Sequence, residues 1–139
     1  RVVLDPSGRL DPDRAIFQQS HGAVLHVVSD ETGVRSNVER LLVPAESGQF
    51  ELHTLLAELH TRGIRRLFIE GGGVTLTRFL TAGLLDRLHL TVAPVLLGQG
   101  RPGFAAPFGG TLSESPRPRV TVAPLGDDWL FDCDFGAAE

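Results

Sequence analysis

Lysine is absent from this 139-residue chain; all 13 of its basic residues are arginines. That excludes chemistry needing a lysine from this segment, such as a Walker-type phosphate loop or a Schiff base. Cysteine is almost absent as well. Cys133 stands alone, so it forms no internal disulfide, which fits a reducing compartment. Positive charge has no excess: a net charge of −4 and a pI near 5.7 leave no basic stripe for nucleic acid or an anionic membrane. The one tryptophan, Trp129, makes no base-stacking platform. No apolar run approaches the about 18 residues that a membrane helix needs, and no run resembles a secretion signal. These absences lead us to expect a cytoplasmic protein. Methionine is missing too, and Arg1 opens directly into the apolar run "RVVLD". That start reads as the interior of a longer gene product.

What is present is enough for one domain with a real core, since 42% of the residues are hydrophobic. Residues 1–5 read as a strand, stopped by "DPSGRLDPD" with its prolines and glycine. Residues 23–29, "AVLHVVS", read as a second strand, and residues 39–43 as a third, ended by Pro44. The period then changes. In "FELHTLLAELHTRG" the leucines 52, 55, 56 and 59 follow helical spacing, and Gly63 stands where a C-terminal cap belongs. Residues 65–70 read as a strand, 75–82 as a helix with Leu76, Phe79 and Leu80 on one face, and 88–97 as a long apolar strand, buried and central. The tail, 119–124 and 129–135 joined through "LGDD", reads as a hairpin. Alternating strands and helices imply an α/β fold with a mostly parallel central sheet flanked by helices, and the C-terminal hairpin adds antiparallel strands. The Gly- and Pro-rich loop over 98–118 is long enough to suspect a lid or an interface.

The chemistry concentrates in "RLFIEGGGVTLTRFL", residues 66–80. A strand that ends in Glu70, passes through Gly71, Gly72 and Gly73 and opens a helix brings backbone N–H groups and a positive helix end to one spot. Such a spot seats phosphate, and three residues without Cβ imply a close approach to the backbone. A tight turn with no ligand would give the same residues, and composition does not choose between the two. The ordinary Rossmann fingerprint fits poorly, because Leu76 takes the place of its third glycine and no acidic residue stands about 20 positions on.

The stretch "IEGGGVTLTRFLTAGLLDRLHLTVAPVLLGQG" resembles the riboflavin-biosynthesis pyrimidine reductases, the C-terminal reductase domain of the bifunctional deaminase/reductase, which share a dihydrofolate-reductase-like fold. "RVVLDPSGRLDP" resembles that family's opening strand and turn, and the similarity runs through to "WLFDCDF". The resemblance implies an enzyme that uses NADPH to reduce the ribosyl group of 5-amino-6-(5-phosphoribosylamino)uracil, a small phosphorylated pyrimidine, to a ribityl chain. It implies that Glu70 lies on the substrate side. It also implies that Gly71, Gly72, Gly73, Val74, Thr75 and Leu76 hold the cofactor phosphates and that Ser7 lies near the adenosine 2′-phosphate, with Pro6 in the family's usual serine slot. Arg9 either supplies positive charge to that phosphate or is a solvated turn residue. Family members begin with a further stretch that is not found before Arg1. Residues 1–139 therefore read as the C-terminal portion of a single reductase domain, one expected not to catalyse alone. Two other readings stay open: a non-catalytic nucleotide-binding module of the same fold, and a reductase acting on a folate or pterin.

No metal is expected. His53 and His60 lie seven residues apart on one helix, about 10 Å along its axis, too far for one ion. His26 and His89 fall in strand patterns and read as sheet residues, and Cys133 as a small core hydrophobe. Phe104 and Phe108 stand among glycines and prolines in the long loop and are expected to be exposed. Exposed aromatics of this kind mark a binding surface. Relatives of this fold commonly pair through their C-terminal halves, so we expect a homodimer to which this loop or the terminal hairpin contributes.

Overall fold

The structure, a computed structural model, describes residues 1–18, 22–30, 38–70, 72–105 and 111–136. They form two compact units, Arg1–Leu67 and Phe68–Glu139.

The first unit is built on a parallel sheet of β1 (Val2–Leu4), β2 (Leu25–Val28) and β3 (Glu39–Leu42), with β2 in the middle. Every residue of β2 is buried. That explains its near-continuous apolar run, because a central parallel strand is covered on both faces. A one-turn helix α1 (Ala15–Gln18) buries Phe17. A short hairpin of β4 (Ala45–Glu46) and β5 (Gln49–Phe50) turns through Ser47 and Gly48, both at positive φ. Helix α2 (Leu52–Thr61) buries Leu52, Leu55 and Leu59, the face expected from the leucine spacing. Burying each of these leucines contributes about 1.5–3 kcal/mol. Beyond α2, Gly63 at φ +80° donates to the carbonyl of His60 while Ile64 donates to that of Leu59. This is a Schellman ending, and Gly63 fills it because the left-handed position penalises a Cβ.

Helix α2 begins with Glu51, whose carboxylate accepts the N–H groups of His53 and Thr54. Bonding to Thr54 first, and then to the N–H of His53, holds the Glu51 carboxyl at about 2, against an ordinary 4.5. A depressed value means that the stabilisation is complete above pH 4.5 and is lost as pH falls through about 2. Glu51→Ala should therefore lower the melting midpoint at pH 7 by about 3–6 °C. The gap between variant and wild type should close as the solution approaches pH 2. Thermal melts followed by circular dichroism across this range check it, and a gap independent of pH would remove the capping role.

In the second unit, helix α3 (Gly73–Thr81) buries Phe79 and Leu80. It ends as α2 does: Gly83, at φ +66°, donates to Leu80 and Leu84 donates to Phe79. Strands β6 (Arg87–Val92), β7 (Arg119–Leu125) and β8 (Asp128–Asp134) form an antiparallel sheet in the order β6-β8-β7. The register sorts its residues by face. One face carries Leu88, Leu90, Val92, Val120, Val122, Trp129, Phe131 and Cys133. The other carries a charged row. Asp134 meets Arg119 at 3.1 Å, and Asp132 meets Arg87 at 3.4 Å and His89 at 3.5 Å. The N–H of Gly136, followed by the Arg119 and Arg87 guanidiniums, holds the Asp134 carboxyl below its usual range against the opposing effect of burial.

Two expected elements differ. Residues 65–70 form no helix and pair with no strand among the described residues, and Phe68 is 76% exposed. An apolar run gives the capacity for a strand, but a ladder also needs a partner. The strand expected over 88–97 stops at Val92 and lies at the edge of the antiparallel sheet, with Val95, Leu96 and Leu97 well exposed. Pro94 has no N–H to continue the ladder. The following backbone turns in on itself, with Val95 donating to Ala93 and Gln99 to Leu97. Among the described residues, parallel pairing is thus confined to β1–β3, within an overall α/β fold.

Candidate functional site

The segment before α3 ends in Glu70, exposed and two residues ahead of the helix's N-cap. Gly71 lies outside the described residues. Gly72 is the N-cap residue, in extended conformation (φ −68°, ψ 163°), and no side chain caps the helix. The Gly72 carbonyl accepts the N–H groups of Thr75 and Leu76. By helix geometry the N–H groups at the start of the first turn have no partner within the helix. No acidic residue occupies that turn, so the partial positive charge of the helix end is not offset there. Val74 is well exposed, and Thr75 and Leu76 are half-buried.

The glycines differ in what they face. A Cβ on Gly73 would lie 2.8 Å from the carbonyl oxygen of Gly103 and 3.0 Å from that of Pro102. One turn on, the N–H of Ala105 donates to the Thr77 hydroxyl at 2.9 Å. The chain's own loop is therefore laid along the start of α3, and its close approach is what requires glycine at position 73. A Cβ on Gly72 would meet nothing within 4 Å. That open position is where a ligand could come up to the backbone. The same loop brings Phe104 into partial cover, which corrects the expectation of an exposed aromatic; Phe108 lies outside the described residues.

Ser7 belongs to the first unit. It sits in a turn in which Gly8 donates to the Asp5 carbonyl, and its hydroxyl accepts from Arg9 Nε at 2.8 Å. Ser7 and Arg9 are both exposed. Among the described residues no carboxylate pairs with the Arg9 guanidinium. Beneath the turn lies a pair that the sequence reading treated as ordinary sheet residues: His26 Nε2 stands 3.2 Å from Asp5 Oδ2, both groups buried. The signal available was a histidine inside the apolar run of β2 and an aspartate closing β1.

The other candidates stay apart from this chemistry. His53 and His60 are exposed on α2, His60 touching Arg65, and Cys133 is buried. Among the described residues no three metal-ligating side chains gather, and no helix is long and apolar enough to cross a membrane.

The chain has the α/β, dihydrofolate-reductase-like class of fold, shared with the solved RibD structures it superposes on. The family described as the RibD C-terminal domain matches residues 1–121, and the chain belongs to that family. It is 33% identical over 103 residues to the 2,5-diamino-6-ribosylamino-4(3H)-pyrimidinone 5′-phosphate reductase of Methanothermobacter thermautotrophicus, covering 70% of this chain and 47% of that protein. It is 32% identical over 133 residues to the riboflavin biosynthesis protein RibD of Haemophilus influenzae, covering 92% of this chain and 35% of that one. Acinetobacter baumannii RibD superposes with a TM-score of 0.77 at 28% identity, over 96% of this chain and 36% of that chain. The Thermotoga maritima diaminohydroxyphosphoribosylaminopyrimidine deaminase/5-amino-6-(5-phosphoribosylamino)uracil reductase superposes at 0.79, with 22% identity, over 96% and 37%. The chain spans less than half the length of each of these relatives.

Proposed function

We propose that this chain supplies part of the cofactor and substrate site of an NADPH-dependent pyrimidine reductase of riboflavin biosynthesis. The substrate of this reading is 5-amino-6-(5-phosphoribosylamino)uracil, whose ribosyl group is reduced to the ribitylamino product. The observation that carries it is the uncapped start of α3 with open space over Gly72. A dinucleotide diphosphate fits such a seat, because backbone N–H groups and the positive helix end stabilise its charge. Gly71 to Leu76 would hold the diphosphate. Ser7 and Arg9 would meet the 2′-phosphate, Arg9 having no competing carboxylate among the described residues. When bound, the dinucleotide supplies a hydride, and the protein's task is to orient the two partners. Glu70 would accept hydrogen bonds from the sugar hydroxyls and assist proton movement as the ribose ring opens. The activity belongs to the full-length protein, which we place in the cytoplasm as a homodimer.

The test is turnover by the full-length protein, followed as loss of reduced-nicotinamide absorbance with NADPH or NADH. NADPH should be preferred. Glu70→Gln should lower turnover by about tenfold, the effect of losing one charge-assisted hydrogen bond, while NADPH binding stays near wild type. Folded wild-type protein that oxidises no NADPH in the presence of the pyrimidine would overturn the assignment. A Glu70→Gln protein that loses cofactor binding but keeps turnover at saturation would place Glu70 on the wrong side of the site.

A further inference from the structure

We propose that His26 and Asp5 form a buried positioning pair that presets the turn at residues 5–10 for a dinucleotide carrying a 2′-phosphate. The inference rests on the reading that Ser7 and Arg9 meet that phosphate. It begins with an oddity of the core. His26 is fully buried in the central strand β2, beside Val27 and Val28, and its Nδ1 has no hydrogen-bond partner among the described residues. A valine at this position would avoid that cost, because an unsatisfied buried polar atom is unfavourable. Its ring also makes a tilted contact with that of Phe17, centroids 4.8 Å apart, which a leucine or phenylalanine would serve equally well.

What only a donor can provide is the contact to Asp5. The Asp5 side chain is also buried, and a buried carboxylate must be met by donors. Among the described residues it has three: Arg9 N–H at 3.1 Å on Oδ1, Leu10 N–H at 2.9 Å on Oδ2, and His26 Nε2 at 3.2 Å on Oδ2. A carboxylate partner places the ring proton on Nε2. Two of the donors are thus the backbone of the turn itself, and the third anchors the carboxylate to the sheet. The Ser29 hydroxyl adds a bond to the Pro6 carbonyl at 2.6 Å, and Gly8 closes the turn onto the Asp5 carbonyl. From this clamped backbone the exposed Ser7 hydroxyl and Arg9 guanidinium project already joined to each other. A hydroxyl and guanidinium held together beforehand lose less freedom when a phosphate arrives, so the clamp converts into affinity for the phosphorylated cofactor. His26 and Asp5 act through the turn and are positioning residues.

The experiment measures dissociation constants for NADPH and NADH on the full-length protein by titration, together with turnover at saturating NADPH. His26→Leu should lower the preference for NADPH over NADH by about fivefold to tenfold. The NADH constant and saturated turnover should stay near wild type. His26→Gln, whose amide donates toward Asp5, should recover most of the preference. Equal weakening of both dinucleotides, or an unchanged preference in folded His26→Leu, would overturn the proposal. Should His26→Leu fail to fold, Asp5→Asn decides by the same ratio, since it keeps the shape and removes the charge. Arg9→Gln separates the two levels of the argument. If it leaves the preference at the wild-type value, the turn is not the 2′-phosphate subsite and the parent reading falls with this one. If it lowers the preference while the His26 and Asp5 variants do not, the positioning pair alone is rejected.

Discussion

Gly72→Val should fold as the wild type does and bind NADPH about tenfold to a hundredfold more weakly, whereas Gly73→Val should be markedly less stable. The two positions are adjacent, yet the backbone treats them oppositely. At Gly72 the dihedrals (φ −68°, ψ 163°) are those of an extended residue, which a β-branched side chain adopts freely, and a Cβ meets nothing within 4 Å. Replacing an N-cap glycine that offers no side-chain bond costs at most about 1 kcal/mol. The added methyls would instead occupy the open space over the backbone, where the proposed diphosphate would lie. An intrusion of this size costs about 1.4–2.8 kcal/mol, hence the tenfold to hundredfold range. At Gly73 the obstruction belongs to the protein itself, the carbonyls of Pro102 and Gly103 at 3.0 and 2.8 Å. A better helix former gains up to about 1 kcal/mol over glycine, but two backbone carbonyls cannot rotate out of the way as a side chain would, so the clash wins. Denaturant melts and NADPH titration of both full-length variants separate the effects. A folded Gly72→Val protein with unchanged cofactor affinity would sink the phosphate seat at α3. A Gly73→Val protein as stable as wild type would mean that the loop over α3 yields freely.

What could be read from the sequence follows from how local each cause is. Gly63 was legible as a helix end because a left-handed residue after an amphipathic run is a requirement of a few neighbouring residues. The terminal hairpin was legible because the turn residues "LGDD" stand directly between two short apolar-rich runs, so the cause is local. Residues 65–70 were misread as a strand for the opposite reason. "RLFIE" has a strand's composition, but pairing depends on a partner that the segment does not name, and the described residues give it none. The hairpin Ala45–Glu46 with Gln49–Phe50 passed unnoticed because two-residue strands carry no period. At the site, Glu70 and the three glycines were recognisable as a motif. Which glycine was sterically obliged was not, since that depends on Pro102 and Gly103, some 30 positions further on. The Asp5–His26 pair spans 21 positions and joins two strands. The histidine inside "AVLHVVS" is a local signal, but nothing near it in sequence names Asp5 as its partner.

Val122→Asp should convert a full-length homodimer to monomer, while Phe104→Ser should leave the dimer largely intact. The distinction comes from where the structure leaves apolar surface. Phe104 was the sequence-based choice for a contact, but it is partly covered in the loop that is tied to Thr77. On the terminal sheet, by contrast, Leu90, Val92, Val120, Val122 and Trp129 share one face, each more than a third exposed. A contiguous apolar face of this kind is unusual on a monomer's surface. The charged groups of the sheet, from Arg87 and His89 through Asp132 and Asp134 to Arg119, all project from the opposite face. Two copies meeting through the apolar face would therefore bring no like charges together, which suits the self-complementary patch of a two-fold interface. Val122 lies on β7, its register partner Phe131 on the central strand β8 and, across β8, Leu90 on β6. An aspartate there would have to be desolvated without a partner on closure, a cost of several kcal/mol that a dimer of micromolar or weaker affinity does not survive. Light scattering at micromolar concentration, with circular dichroism to confirm folding, reads the result. A monomeric wild type, or a folded Val122→Asp protein that remains dimeric, would remove this face from the interface; a dimer lost with Phe104→Ser alone would return the contact to the loop.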